Sequence, residues 1–279
     1  MTLVLSFRSR DIAGNVVAPT LYDVDPLATP LTYRMVPRYE WDSLVGGRDV
    51  MFATHGFNVH GPDGVRSLAG FGSRLDLRPS DLYIAVIWPG DWWIPAINYP
   101  FEGNDAKDCG RRLATWCGER LSQAASISFV SHSLGARLIL ETLKNLDMRA
   151  RLVCLMAGAI NRDCLETEYR TSRDRSDTIR VLASRADRVL QLAFPAGDLV
   201  SELIDPDHIP LTAALGRSGP VRSVPGKLDG PWQISPGERF GHGDYLPEDA
   251  TTPATGAKWS EAGDFVRRAW RKQPQSWPT

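Results

Sequence analysis

Residues Ser126–Arg137, reading SISFVSHSLGAR, constrain this chain more than any other stretch. Ser126 to Val130 have a strand's composition. After Gly135, the residues Leu138, Ile139, Leu143 and Leu146 recur at the spacing of an amphipathic helix. Between them lies Ser131-His132-Ser133-Leu134-Gly135, a sharp turn with a serine at its apex and small residues two places before and after it. That is the pattern G-x-S-x-G of a nucleophile turn, with Ser131 in the first glycine position. Small residues are needed there because the apex backbone is strained and neighbouring chain passes close. Serine is small enough to stand in, though less permissive than glycine. The same string can arise by chance in a Ser-rich loop, so its meaning depends on the rest of the chain.

The rest alternates strands with helices. Leu3, Leu5 and Phe7 alternate as an opening strand; a loop with Pro19, Pro26 and Pro30 follows, then a second strand near Leu31–Val36. This first part, residues 1–48, has the character of an antiparallel edge. Asp49–Thr54 is a strand ending at His55-Gly56-Phe57, and Val65, Leu68, Phe71 and Leu75 mark a helix. Leu82–Trp88 is an apolar run of the kind buried on both faces of a parallel sheet. Pro89–Glu102 is a loop unusually rich in Trp and other large apolar residues, after which Asn104 is placed to cap a helix carrying Cys109, Leu113, Trp116 and Leu121. Leu152–Ala157 and Ile179–Ala183 are further strands, Val189–Leu203 is helical, and Trp232–Ser235 is a short strand. Trp259, Ala262, Val266 and Trp270 share one face of a last helix, Lys258–Lys272. The expectation is one α/β domain over 1–279, with a mostly parallel sheet covered by helices on both faces.

Composition excludes several classes. A net charge of −1 with no dense Lys/Arg cluster offers no footprint for nucleic acid. No apolar run reaches membrane-spanning length, and MTLVLSFRSRD lacks the apolar core and cleavage site of a signal peptide, so a cytoplasmic protein is expected. Cys109, Cys117, Cys154 and Cys164 form no C-x-x-C pair and have no His at ligand spacing; they are expected to be small core residues, not metal ligands.

A serine nucleophile needs a base, a group to orient the base, and backbone donors for the oxyanion. In folds with this turn the order along the chain is serine, acid, histidine. Only His208 and His242 follow Ser133. His242, flanked by glycines in a late loop before the final helix, is the expected base; His208 comes soon after the preceding strand and is expected on a surface turn. For the acid, Asp187 and Asp163 each follow an apolar strand by a short turn. The later position is favoured, against the competing reading of Asp187 as a helix N-cap. His55-Gly56-Phe57 ends the strand expected two before the nucleophile strand in sheet order, which puts the backbone N–H groups of Phe57 and Leu134 forward as oxyanion donors. His55 is expected to pack beneath that loop, His132 to point away from Ser133, and His60 to lie in solvent. Trp92 and Trp93 either line an acyl pocket or fill the core near the strand edge.

Together THGFNV at Thr54–Val59, Trp88-Pro89 after a buried strand, SHSLGAR at Ser131–Arg137 and SRADRVL at Ser184–Leu190 resemble one bacterial α/β-hydrolase family of predicted serine esterases whose substrate is unassigned. The resemblance runs from about Asp49 to His242. It implies the α/β-hydrolase fold, Ser133, Asp187 and His242 as a catalytic triad, and Phe57 and Leu134 as the oxyanion donors. Gly216–Glu248 matches no motif outside the His242 loop. The expected reaction is hydrolysis of a small carboxylic ester through an acyl-enzyme, with no cofactor. Thioester hydrolysis or acyl transfer would use the same residues, and a catalytically silent binding protein of the same fold is the alternative from another class. Neither substrate nor oligomeric state is legible.

Overall fold

The computed structural model describes residues 1–11, 14–91, 99–192 and 213–278, with backbone alone at 99–102. Its strands are β1 (Thr2–Arg8), β2 (Val16–Asp25), β3 (Thr32–Met35), β4 (Asp49–Thr54), β5 (Asp81–Ile87), β6 (Ser126–His132), β7 (Ala150–Met156), β8 (Ser176–Ser184) and β9 (Gln233–Ile234). They form one sheet in the order β3-β2-β1-β5-β4-β6-β7-β8-β9. From β1 to β9 every pairing is parallel, while β2 and β3 add an antiparallel edge at the N-terminal side.

The helices are α1 (Arg38–Val45), α2 (Gly61–Ser73), α3 (Tyr99–Arg120), α4 (Gly135–Asn145), α5 (Arg170–Asp174), α6 (described over 188–192), α7 (Leu215–Ser218) and α8 (Lys258–Trp270). Their sides follow from strand alternation, since successive side chains point to opposite faces. Phe52 on β4 meets Trp116 of α3 with ring centroids 6.1 Å apart and stacks on Phe129 of β6 at 5.5 Å. Its neighbour Met51 lies in register with Tyr83, whose hydroxyl donates to the Leu68 carbonyl of α2 at 2.8 Å. Thus α3 and α4, which pack on each other, cover one face, and α2, joined to α8 by Arg74 and Asp264 at 2.5 Å, covers the other. The architecture is the one the family resemblance implies. β5 is buried along its whole length, as its continuous apolar run requires.

Three local expectations are corrected. The proline-bearing stretch after β1 is not a loop: Val16–Asp25 is the long strand β2. Pro19 is accommodated because the β1–β2 register shifts between Ser6 and Arg8, and β3 pairs with β2 only from Tyr22 onward, so no ladder acceptor faces its missing N–H. Next, α3 begins at Tyr99, so Asn104 lies inside the helix and is not its cap; Pro100 sits in the first turn, where a missing N–H costs nothing. Finally, β4 is not two strands from β6 but its immediate neighbour, because β5 crosses to the far side of β4. The four cysteines are buried and form no disulfide, and burial pushes the thiol of Cys154 up to about 12.

Candidate active site

The register of β4 against β6 does most of the placing. Thr54 pairs with Ser131, so Gly56 and Ser133, each two residues further on, emerge side by side at the same sheet edge. A Cβ on Gly56 would lie 2.6 Å from the Cβ of Ser133, and one on Gly135 would lie 2.6 Å from the His55 carbonyl oxygen. Both positions therefore demand glycine: at Gly135 neighbouring backbone passes close, as the turn pattern requires, and at Gly56 the Ser133 side chain does. Ser133 itself has φ 54, the left-handed region that a non-glycine residue adopts only under constraint from its surroundings. Its N–H donates to the Met156 carbonyl at 3.0 Å, and its carbonyl accepts from Ala136 and Ala159, each at 3.1 Å. Ser131, in the first glycine position, is fully buried, and its hydroxyl faces the Cys154 carbonyl of β7 at 3.5 Å.

From this apex a line of hydrogen bonds leads inward. The Ser133 hydroxyl donates to Nε2 of His242 at 2.8 Å, and Nδ1–H of His242 donates to Oδ2 of Asp187 at 2.7 Å. Ser133 is 4 % exposed, Asp187 is 0 % exposed and the His242 side chain 18 %. The structure thus brings together the three residues singled out from sequence. The cap reading of Asp187 also holds, on the other oxygen: Oδ1 accepts the N–H of Leu190 at 2.9 Å, in the first turn of α6. Asp163 is not in this line; its backbone carbonyl accepts from Glu166 and Thr167 in the turn after β7.

The His242 loop is tied down by side chains that sequence reasoning passed over. Ser184, the last residue of β8, donates its hydroxyl to the Phe240 carbonyl at 2.7 Å. Oδ2 of Asp244 accepts the Gly241 N–H at 2.6 Å and is itself paired with Lys258 at 2.7 Å. The His132 ring packs against the His242 ring and beside Gly56, and its Nε2–H donates to the His242 carbonyl at 2.7 Å. Burial, with the nearby His242, drives the His132 pKa down to about 3, so the ring is neutral. An acidic residue three after a loop glycine was a usable signal for Asp244; His132 and Ser184 stand within the SHSLGAR and SRADRVL strings, but nothing there marked their contacts with the His242 loop.

Across from the turn, Phe57 is half-buried and Leu134 is buried at the head of α4, where backbone N–H groups lack intrahelical acceptors. The loop carrying Phe57 rests on His55, as expected. Nδ1–H of His55 donates to the Gly56 carbonyl at 2.8 Å, and its Nε2 accepts the Trp88 N–H at 3.3 Å. Trp88 Nε1–H returns a bond to the His55 carbonyl at 3.1 Å, and burial lowers the His55 pKa to about 4. His60 is corrected: it is not simply solvated, since its Nδ1–H donates to Asp91 Oδ2 at 2.9 Å while its side chain stays 48 % exposed. Both oxygens of Asp91 also accept from Nη2 of Arg8, at 2.6 and 2.7 Å. Trp92, Trp93 and His208 lie outside the described residues. Among the described residues, no group of three or more His, Cys, Asp or Glu is arranged to hold a metal ion, and no helix is long and apolar enough to cross a membrane.

Residues 45–224, more than half of the chain, match the family model described as alpha/beta hydrolase of unknown function. No curated protein matches. A solved structure from a mechanistic study of two prolyl endopeptidases is similar over 97 % of this chain and 38 % of that one, with 13 % identity and a TM-score of 0.42. The Tle1 effector bound to the VgrG spike of the type 6 secretion system is similar over 60 % of this chain and 51 % of that one, with 12 % identity and a TM-score of 0.23. The chain therefore spans about half or less of either structure, and at these identities the likeness says nothing of activity.

Proposed function

The chain belongs to the family of α/β hydrolases of unknown function, and we propose that it is a serine hydrolase that cleaves a carboxylic ester through an acyl-enzyme. The observation that carries this reading is the unbroken line from Ser133 Oγ through both ring nitrogens of His242 to buried Asp187, with Ser133 held at positive φ. In this reading Nε2 of His242 takes the hydroxyl proton as Oγ forms its bond to the ester carbonyl carbon. Asp187 keeps the imidazole in the tautomer with Nδ1–H and steadies the imidazolium that results. The backbone N–H groups of Phe57 and Leu134 face the oxygen that gains charge. Collapse of the tetrahedral adduct breaks the bond to the leaving oxygen, which departs as an alcohol with the proton from His242. Water, deprotonated by His242, then attacks the acyl carbon and frees Ser133 with the acid. Trp92 and Trp93 are proposed to line the acyl side.

A thioesterase or acyltransferase would run the same first half-reaction, and the ester assignment is decided by substrate. The test is a fluorophosphonate probe with peptide mass analysis, followed by a panel of p-nitrophenyl esters of rising chain length. Phosphonylation of Ser133, lost in Ser133→Ala, together with ester turnover, is the expected result. A wild-type protein that the probe leaves unmodified would sink the serine-hydrolase reading in favour of a silent binding protein. Turnover of thioesters but not oxygen esters would move the substrate class.

A further inference from the structure

The bond between Ser133 and His242 cannot by itself hold the base in place, because the proposed reaction breaks and remakes it. Ser133 and His242 stand 109 residues apart, on separate loops. The ties at Ser184 and Asp244 act on Phe240 and Gly241, the two residues before the base. On His242 itself, the backbone carbonyl is held by the Nε2–H of His132, across 110 residues at 2.7 Å.

The surroundings of His132 make it a junction. Its ring centroid is 5.0 Å from that of His242 and 5.9 Å from that of Tyr245, two residues of the base loop. On its other side, a Cβ at Gly56 would lie 3.1 Å from Nδ1, so the ring also packs against the loop that carries Phe57. Its own backbone leads directly into Ser133. One rigid ring therefore touches the base loop and the proposed oxyanion loop while being covalently next to the nucleophile.

We propose that His132 is a positioning residue: as a neutral N–H donor it fixes the His242 carbonyl relative to Ser133, so that the base returns to Oγ after each proton transfer. The proposal rests on the serine-hydrolase reading above. The choice of residue follows from the charge that develops. His242 becomes cationic in each half-reaction, so a lysine or arginine tether 5 Å away would oppose that charge, whereas a buried imidazole donates while staying neutral. The groups facing it are the His242 ring, Tyr245, His55 and Asp187. A ring with two side-chain torsions also loses little freedom in holding the geometry.

The experiment compares His132→Leu, which fills the space without a donor, with His132→Gln, whose side-chain amide keeps one at similar reach. With p-nitrophenyl acetate, His132→Leu is expected to lose about 10- to 100-fold in kcat with KM little changed, the scale of a small misplacement of reacting groups. His132→Gln is expected to stay within about threefold of wild type, since the donor is restored. Wild-type kcat in His132→Leu, or a His132→Gln as poor as His132→Leu at equal melting temperature, would overturn the proposal. Should both variants melt early, nitrogen NMR of histidine-labelled wild type decides instead. A persistent Nε2–H tautomer of His132 from pH 7 to pH 5 supports the tether, and an Nδ1–H tautomer or a protonated ring refutes it. If the wild type turns over no ester, the reaction reading fails, and the tautomer still reports on the tether separately.

Discussion

Asp187 divides its two carboxylate oxygens between two tasks that a sequence reading treats as rivals. Oδ1 caps α6 through Leu190, and Oδ2 accepts from His242. An amide is nearly as good a cap as a carboxylate, but in the triad role it favours the wrong imidazole tautomer. Asp187→Asn is therefore expected to melt close to wild type while losing on the order of 10³- to 10⁴-fold in ester turnover. Asp163→Asn is expected to keep most activity, since that residue lies outside the hydrogen-bonded line. Steady-state turnover with melting curves checks both, and the reverse pattern would move the acid to the turn after β7. Ser133, Asp187 and His242 were legible in sequence because each sits in a local pattern: a strand–turn–helix, a turn after an apolar strand, a glycine-flanked loop. Ser184 and His132 were not, because their partners lie 56 and 110 residues away and neither carries a local signal of its contact.

At the scale of elements, the loops after β4 and β5 are clamped by a buried ion pair from the end of β1. Arg8 donates to both oxygens of Asp91 and also to the carbonyls of Arg10, Asp11 and Trp88, at 2.9, 2.6 and 3.0 Å. Asp91 in turn takes His60 of the β4 loop, and Asn58 N–H donates to the Gly90 carbonyl. Side-chain exposures of 2 % and 0 % mean that neither charge is solvated, so removing one strands the other. Asp91→Ala is expected to cost about 3–5 kcal/mol in urea unfolding, and Arg8→Met added to it should recover part of that loss. Independent additive losses would show that the pair is not coupled. The strand β1 and the buried run before Asp91 were readable from apolar pattern, yet the clamp was not, because Arg8 looked like the charged end of a short strand. The starts of β2 and α3 were missed for a different reason: Pro19 and Pro100 signal a break in isolation, and only a register shift and a first-turn position make them compatible with a strand and a helix.

For the whole molecule, the same buried histidines that shape the site set a limit on acid stability. Burial, the largest cause in both, lowers His55 to about 4 and His132 to about 3, whereas an unfolded chain protonates histidine near its ordinary value of about 6.5. His55 accepts the Trp88 N–H at Nε2, a bond that requires a neutral ring, and His132 is buried beside the His242 ring, so desolvation and that neighbour both oppose a charge on it. Between about pH 6.5 and pH 4 the unfolded state therefore binds more protons than the folded state at both positions. The sign follows directly: unfolding free energy rises with pH across that window and falls as acid is added, by roughly 1.4 kcal/mol per pH unit for each histidine. Above about pH 6.5 neither ring contributes a slope, and below about pH 4 only His132 continues to do so. Carboxylates add their own acid dependence, so the comparison that isolates the histidines is wild type against His132→Gln in denaturant titrations at pH 7.5, 6 and 5. The difference in stability between the two proteins should shift by about 1 to 1.4 kcal/mol in favour of the variant from pH 6 to pH 5, because glutamine has no proton to gain on unfolding. A difference independent of pH would mean that His132 titrates alike in both states, and that its ring is more open to water than its place beneath the His242 loop implies.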